Sequence, residues 1–234
     1  MLTVQDHLNY LKKMGKFPPQ EPPKRFIFTF VGNFFREVLS SFRYEPYLSP
    51  FTSVYRLLDF PGVAFGNFKI GAAVNAMKMD QLIHWGVREF YAIGMTGAIA
   101  ADLRPGDIVL ASEAIREEGV SRHYVGPGEK IQAPGESLSK WEEALAETGM
   151  RKGTILTHDA IYRLTRENFL RRRAEGVLGV EMETAALYAV AECRGVAIAS
   201  GLVVSDYETE DGWHVAFHDP LVVEGQRTLL RALL

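Results

Sequence analysis

The sequence predicts a single α/β domain built on a central mixed sheet with helices on its faces. Three observations carry that expectation. Apolar runs of strand length alternate along the chain with helical patterns. The runs are apolar on both faces, as strands covered from both sides must be. The 234 residues, 47% of them apolar, suffice for one sizeable core and fall in the size range of single α/β domains.

Taken in order, residues 3–14 (TVQDHLNYLKKM) read as a short amphipathic helix. FPPQEPP, 17–23, is extended, because proline fixes φ and lacks the amide donor. Residues 1–24 therefore read as a helix and Pro-rich arm leading into a domain of residues 25–234. RFIFTFV, 25–31, is a continuous apolar strand, and Gly32-Asn33 turns into a helix expected to begin near Phe34. Residues 63–70 form a further strand. AAVNAMKMDQLIHWG, 72–86, is a helix that stops at a glycine. EFYAIGM, 89–95, and DIVLASEAI, 107–115, are buried strands, the second entered through the turn RPGD.

Ser139 and Glu142 have capping-box spacing, which predicts a helix starting there and closed by Gly149. GTILTHD, 153–159, is a strand and 165–175 a helix. GVLGVEM, 176–182, is a strand feeding the helix of TAALYAVAECRG. VAIASGLVVSD, 196–206, is a strand, and LVVEGQRTLLRALL, 221–234, a terminal helix. There is no internal repeat and no low-complexity segment.

Charge and composition narrow the function classes. The formal charge is −3 and the basic residues are dispersed, so a nucleic-acid partner is not expected. The one dense run, Arg171-Arg172-Arg173, reads as the solvated face of a helix. Cys193 is the single cysteine, which excludes an internal disulfide and a cysteine-based metal cluster, and no metal is expected. No stretch approaches the roughly 20 apolar residues of a membrane span, so a cytoplasmic protein without a membrane partner is expected.

In open α/β sheets ligands sit outside the carboxyl ends of strands. The places to inspect are Gly32-Asn33, 94–98, 158–161, 181–183 and Ser205-Asp206. In an extended segment residues i and i+2 point the same way, so Glu181 and Glu183 would share one face with Met182 on the other. Such a pair suits the two donors of a sugar diol. It equally suits the free amides of a helix N-terminus, which acidic side chains commonly cap. Asp206, ending an apolar strand, reads either as a turn or helix cap or as a proton donor.

VEMETAALYAVA, 180–191, resembles the ribose-binding signature of the nucleoside phosphorylase family, which includes purine nucleoside phosphorylases, uridine phosphorylases and related nucleosidases. AIGMTGAI, 92–99, resembles its glycine-rich loop, and PGDIVLASEAIREEGVSRHY, 105–124, the segment after it. THDAIY, 157–162, is similar to the base-pocket strand exit, and VVSDY, 203–207, to the strand bearing the catalytic acid. The matches keep the family's order over roughly residues 25–210.

The resemblance implies a phosphorylase/hydrolase-like fold and a homo-oligomer, a dimer or a hexamer. It implies that Glu183 takes the ribose diol, Met182 packs on the sugar and Glu181 supports them. Their negative charge would suit a cationic oxocarbenium-like state. Thr96, Gly97, Ile161 and Val180 would meet the base, and Asp206 would protonate a departing purine. Gly32 and Arg36 would hold inorganic phosphate, the co-substrate; no other cofactor is implied.

Several positions depart from the family's pattern. Ala92 and Met95 stand where a phosphate arginine and a hydroxyl residue are expected. Arg56, Lys69 and Arg122 are the candidate replacements, each with the plain reading of a surface charge. No arginine follows Asp206 before Arg227, and Ile161 replaces an aromatic. Three readings stay open: a phosphorylase acting on a purine nucleoside, a nucleosidase using water, and a nucleoside-binding protein without turnover.

Overall fold

The computed structural model describes residues 3–47, 53–209 and 211–234. Helix α1 (Val4–Lys13) starts at an N-cap on Thr3, whose side chain accepts from the Asp6 amide while Asp6 reaches back to the Thr3 amide. Strand β1 (Arg25–Thr29), helix α2 (Gly32–Ser41), and strands β2 (Tyr44–Pro46), β3 (Ser53–Leu57) and β4 (Val63–Asn67) follow. Next come α3 (Ala72–Trp85), β5 (Glu89–Ala98), β6 (Ile108–Glu117), β7 (Lys130–Gln132), α4 (Ser137–Ala144) and β8 (Arg151–His158). The chain ends with α5 (Arg166–Ala174), β9 (Gly179–Glu181), α6 (Thr184–Arg194), β10 (Ala197–Thr209), β11 (Gly212–Val215) and α7 (Pro220–Arg231).

The sheet is mixed. Strands β4, β1, β5 and β10 lie parallel in that order, as do β6, β8 and β9. Two antiparallel junctions, β10 with β6 and β5 with β9, join these groups. Strands β5, β10, β6, β8 and β9 therefore close on themselves, which brings the ends of β5, β9 and β10 together.

Strand alternation divides the core between the two faces. On β1, Phe26 and Phe28 enter one apolar cluster and Ile27 the other; on β5, Phe90 and Ala92 part from Tyr91 and Ile93 in the same way. Helices α1, α3 and α6 cover the first face through Leu8, Met79 and Leu187. Helices α2, α4 and α7 cover the second through Phe34, Trp141 and Leu229. On this second face Gly201 has no room for a side chain, since a Cβ there would stand 2.5 Å from the Trp141 ring. Helix α1 packs its buried Leu8 and Leu11 into the first cluster, and Pro22 of the arm lies against Gly86.

Several elements differ from the sequence expectation. Helix α2 begins at Gly32 rather than near Phe34. Helix α4 begins at Ser137 with no side-chain cap, and the Ser139 hydroxyl donates back to the Glu136 carbonyl from within the first turn. The capping-box spacing there is coincidental: Trp141 is fully buried against α7, and tertiary packing sets the start. Strand β10 runs three residues past Asp206, and β2, β3, β7 and β11 are unforeseen. These four are short, and β2 is exposed throughout, so they carry little apolar pattern.

Candidate active site

A cavity of about 490 Å³ lies where β5, β9 and β10 meet. Thr96, Gly97, Ile161 and Val180 line it, as do Glu181, Met182, Glu183 and Asp206. Gly32 and Arg36 do not. They start α2 beside the wall residue Val31, and exposed Arg36 bonds Asn33. Among the candidate replacements, Arg56 pairs with Glu45 at 2.5 Å on the β2–β3 hairpin. Lys69 is exposed, and Arg122 is exposed with a contact to the Glu118 carbonyl at 3.3 Å.

The two glutamates do not alternate as a strand pair. β9 ends at Glu181, and Glu183 is the N-cap residue of α6, with φ −136° and ψ −40°. Met182 faces the same cavity as its neighbours, not the opposite side. Glu181 is spent on protein. One oxygen accepts from the Thr157 hydroxyl at 2.5 Å, and the other from the amides of Glu183 and Thr184 at 2.7 and 2.8 Å. It satisfies free amides at the start of α6, the helix-cap reading of this residue. Thr157 also accepts from the Ala185 amide at 2.9 Å, which ties the exit of β8 to the same helix end. Glu183 accepts from the Gly71 amide at 2.5 Å and presents its carboxyl to the cavity.

Both glutamates are 5% exposed. Burial pushes Glu183 up to about 8, helped by the adjacent charge of Glu181. Burial also raises Glu181, against the hydrogen bonds from Thr157, Thr184 and Glu183. Such a pair titrates together. Thr157 and the amides of Glu183 and Thr184 favour the charged form of Glu181, whereas burial and the neighbouring carboxyl disfavour the charged form of Glu183. The hydrogen bonds of Glu181 are taken up by protein groups, and Glu183 accepts from the Gly71 amide.

Asp206 is aimed by a bulge. Val204 pairs with Thr96 and Asp206 with Gly97, so Ser205 is an extra residue in β10. The Ser205 hydroxyl donates to one Asp206 oxygen at 2.7 Å, and the indole N–H of Trp213 donates to the other at 2.8 Å. Gly97 makes room: a Cβ there would lie 2.8 Å from an Asp206 oxygen. Thr96 is buried and donates its hydroxyl to the Val180 carbonyl at 3.0 Å, so it ties β5 to β9 and offers no free proton to a base.

Sequence reasoning missed Trp213, Phe217, Arg166, Phe30 and Ile70, all of which line the cavity. The Asp-Gly pair at 211–212 signals a hairpin and is the available cue for Trp213. His214 and His218 stand four apart in sequence, but one lies in β11 and the other in the turn beyond it, not on one helix face. Among the described residues no group of three His, Cys, Asp or Glu side chains is arranged to hold a metal ion, and no helix is long and apolar enough to cross a membrane.

A model of the family described as "Phosphorylase superfamily" matches residues 60–234. The chain belongs to the phosphorylase superfamily. Relatives include the DeoD-type purine nucleoside phosphorylases of Bacillus cytotoxicus and Bacillus thuringiensis strain Al Hakam. Each is 32% identical over 162 residues, covering 67% of this chain and 67% of the relative. The fold is similar to that of uridine phosphorylase from Vibrio fischeri ES114, with a TM-score of 0.76, 20% identity and 91% of each chain covered. The superfamily match includes β5, β9 and β10, the three strands that build the cavity; it begins after α1, β1 and α2.

Proposed function

We propose that this protein cleaves the N-glycosidic bond of a purine nucleoside, passing the sugar to phosphate and releasing the free base. One observation carries the reading: Glu183, just past the exit of β9, and Asp206, on β10, line one cavity. Glu183 receives the sugar hydroxyls, and Asp206 shares a proton with purine N7 as the bond from the anomeric carbon to N9 breaks. The bond's electron pair leaves with the base, and a phosphate oxygen forms the new bond to carbon. The names of the Bacillus relatives support both the purine and the phosphate.

A second reading, water as the acceptor, is favoured by the character of the wall. Met95, Phe30, Val31 and Ile70 are apolar where an oxyanion would need cations. Among the described residues the cation lining the cavity is Arg166, which lies 3.5 Å from Glu208.

The test is a panel of purine and pyrimidine nucleosides incubated with and without phosphate, with free base and sugar-1-phosphate measured. Phosphate-dependent release of purine with sugar-1-phosphate is the expected result. Purine release indifferent to phosphate would establish the hydrolase instead. Asp206→Asn should slow purine release by about 10²- to 10⁴-fold; unchanged turnover would remove Asp206 from the chemistry.

A further inference from the structure

The hairpin of β10 and β11 lines one side of the cavity, and beside Asp206 it brings Glu208 and Trp213, which the family resemblance does not assign. Cross-strand pairs run Asp206 with Val215, Tyr207 with His214 and Glu208 with Trp213. Alternation puts Asp206, Glu208, Trp213 and Val215 on one face of the hairpin. Asp206, Glu208 and Trp213 all line the cavity, and Tyr207 between them borders it as well. On the other face Tyr207 stacks on His214 with ring centroids 5.0 Å apart, and His214 bonds Thr209 at 2.7 Å. That packing holds the hairpin while Trp213 rests edge-on against Phe217, centroids 6.0 Å apart.

Trp213 is 55% exposed, so burial does not explain its size or its place. Its N–H does have a use: it reaches Asp206 at 2.8 Å. Arg227, the first arginine after Asp206, is turned away to Glu37 on α2 at 2.5 Å. We propose that Trp213 is the positioning residue of the catalytic acid, holding one Asp206 oxygen with a neutral N–H while Ser205 holds the other. The inference rests on the purine-cleaving reading above. Donors on both oxygens restrain rotation of the carboxyl, and Asp206 lines the cavity in which the proposed reaction would place the leaving base. An indole N–H orients the carboxyl without bringing a positive charge beside it.

The test uses the full chain and two substrates. One is an ordinary purine nucleoside, which needs a proton at N7 to leave. The other is a 7-methylpurine nucleoside, already cationic there. Trp213→Phe keeps a ring and removes the N–H. It should lower kcat on the ordinary nucleoside about ten-fold or more, roughly the effect of one hydrogen bond to a charged group, with KM changed less than about two-fold. The same change should leave the ratio of the two rates strongly shifted toward the 7-methyl substrate. In an Asp206→Asn background, Trp213→Phe should cost nothing further, because it acts through Asp206. Equal losses on both substrates, or additive losses in the double variant, would overturn the assignment in favour of a structural role. Full activity of Trp213→Phe would overturn it outright. If the wild type releases no base from either substrate, the reading of the site itself falls, and this inference with it.

Discussion

Glu183 is the residue through which the proposed reaction would respond to pH. Its carboxyl is pushed up to about 8 by burial and by Glu181's charge. In the proposed reaction an ionised Glu183 would accept from two sugar hydroxyls and face a cationic transition state; a protonated one would do neither fully. We expect kcat/KM for the nucleoside to rise with pH along a limb with an apparent pKa near 8. Glu181→Gln removes the neighbouring charge and should move that limb to lower pH; a pH–rate profile of both proteins checks it. Gly97 acts by absence. Gly97→Ala places a methyl 2.8 Å from an Asp206 oxygen, so the carboxyl must shift. Turnover should fall by about ten-fold or more, since small misplacement of a catalytic group is costly. The melting temperature should change little, because Gly97 sits at the cavity rather than in the apolar core.

The start of helix α6 is built by a relay from another strand. Thr157 of β8 donates to Glu181 and accepts from the Ala185 amide, and Glu181 in turn accepts from two more amides. Thr157→Val keeps the shape and leaves the Ala185 amide without that partner. It should cost about 1–3 kcal/mol in urea unfolding, the penalty for a buried unmet donor. Helix α5 is anchored in a comparable way. Arg172, its side chain 4% exposed, pairs with Glu117 at 2.5 Å, Glu129 at 2.8 Å and Glu175 at 2.7 Å. Arg172→Met should lower stability by about 1–2 kcal/mol, since the carboxylates it leaves are partly solvated. It should also raise KM, because α5 places Arg166 and Phe169 in the cavity wall.

At the scale of the molecule, the buried acid pair couples folding to pH. Glu183 moves from an ordinary 4.5 in the unfolded chain to about 8 when folded. The folded state therefore keeps a proton that the unfolded chain has released. Its contribution to stability is full below about 4.5 and is lost as pH rises through about 8. The wild-type melting temperature should thus fall across that interval. Glu183→Gln cannot ionise and should fall less steeply, which thermal scans of both proteins across the range will show. Parallel curves would mean that the pair is not strained by burial.

The sequence by itself determined the fold class, because strand runs such as RFIFTFV and EFYAIGM are apolar almost throughout and only a sheet covered on both sides buries them. It also determined the principal cavity residues, since strand exits are legible from where apolar runs stop: Glu183 and Asp206 both stand at such stops. Tertiary structure decided the rest. The spacing of Glu181 suits a sugar diol and a helix cap alike, and in the fold Thr157 and the α6 amides take its oxygens. The hairpin bearing Trp213 follows a polar stretch with no apolar period, and its partner Asp206 is selected only by strand pairing. Arg36 has the right spacing, yet α2 leaves it exposed beside Asn33. Spacing along the chain constrains which side chains share an element. Which of them converge is set by the closure of β5, β9 and β10, where β5 meets two segments far from it in sequence, a contact that no local pattern encodes.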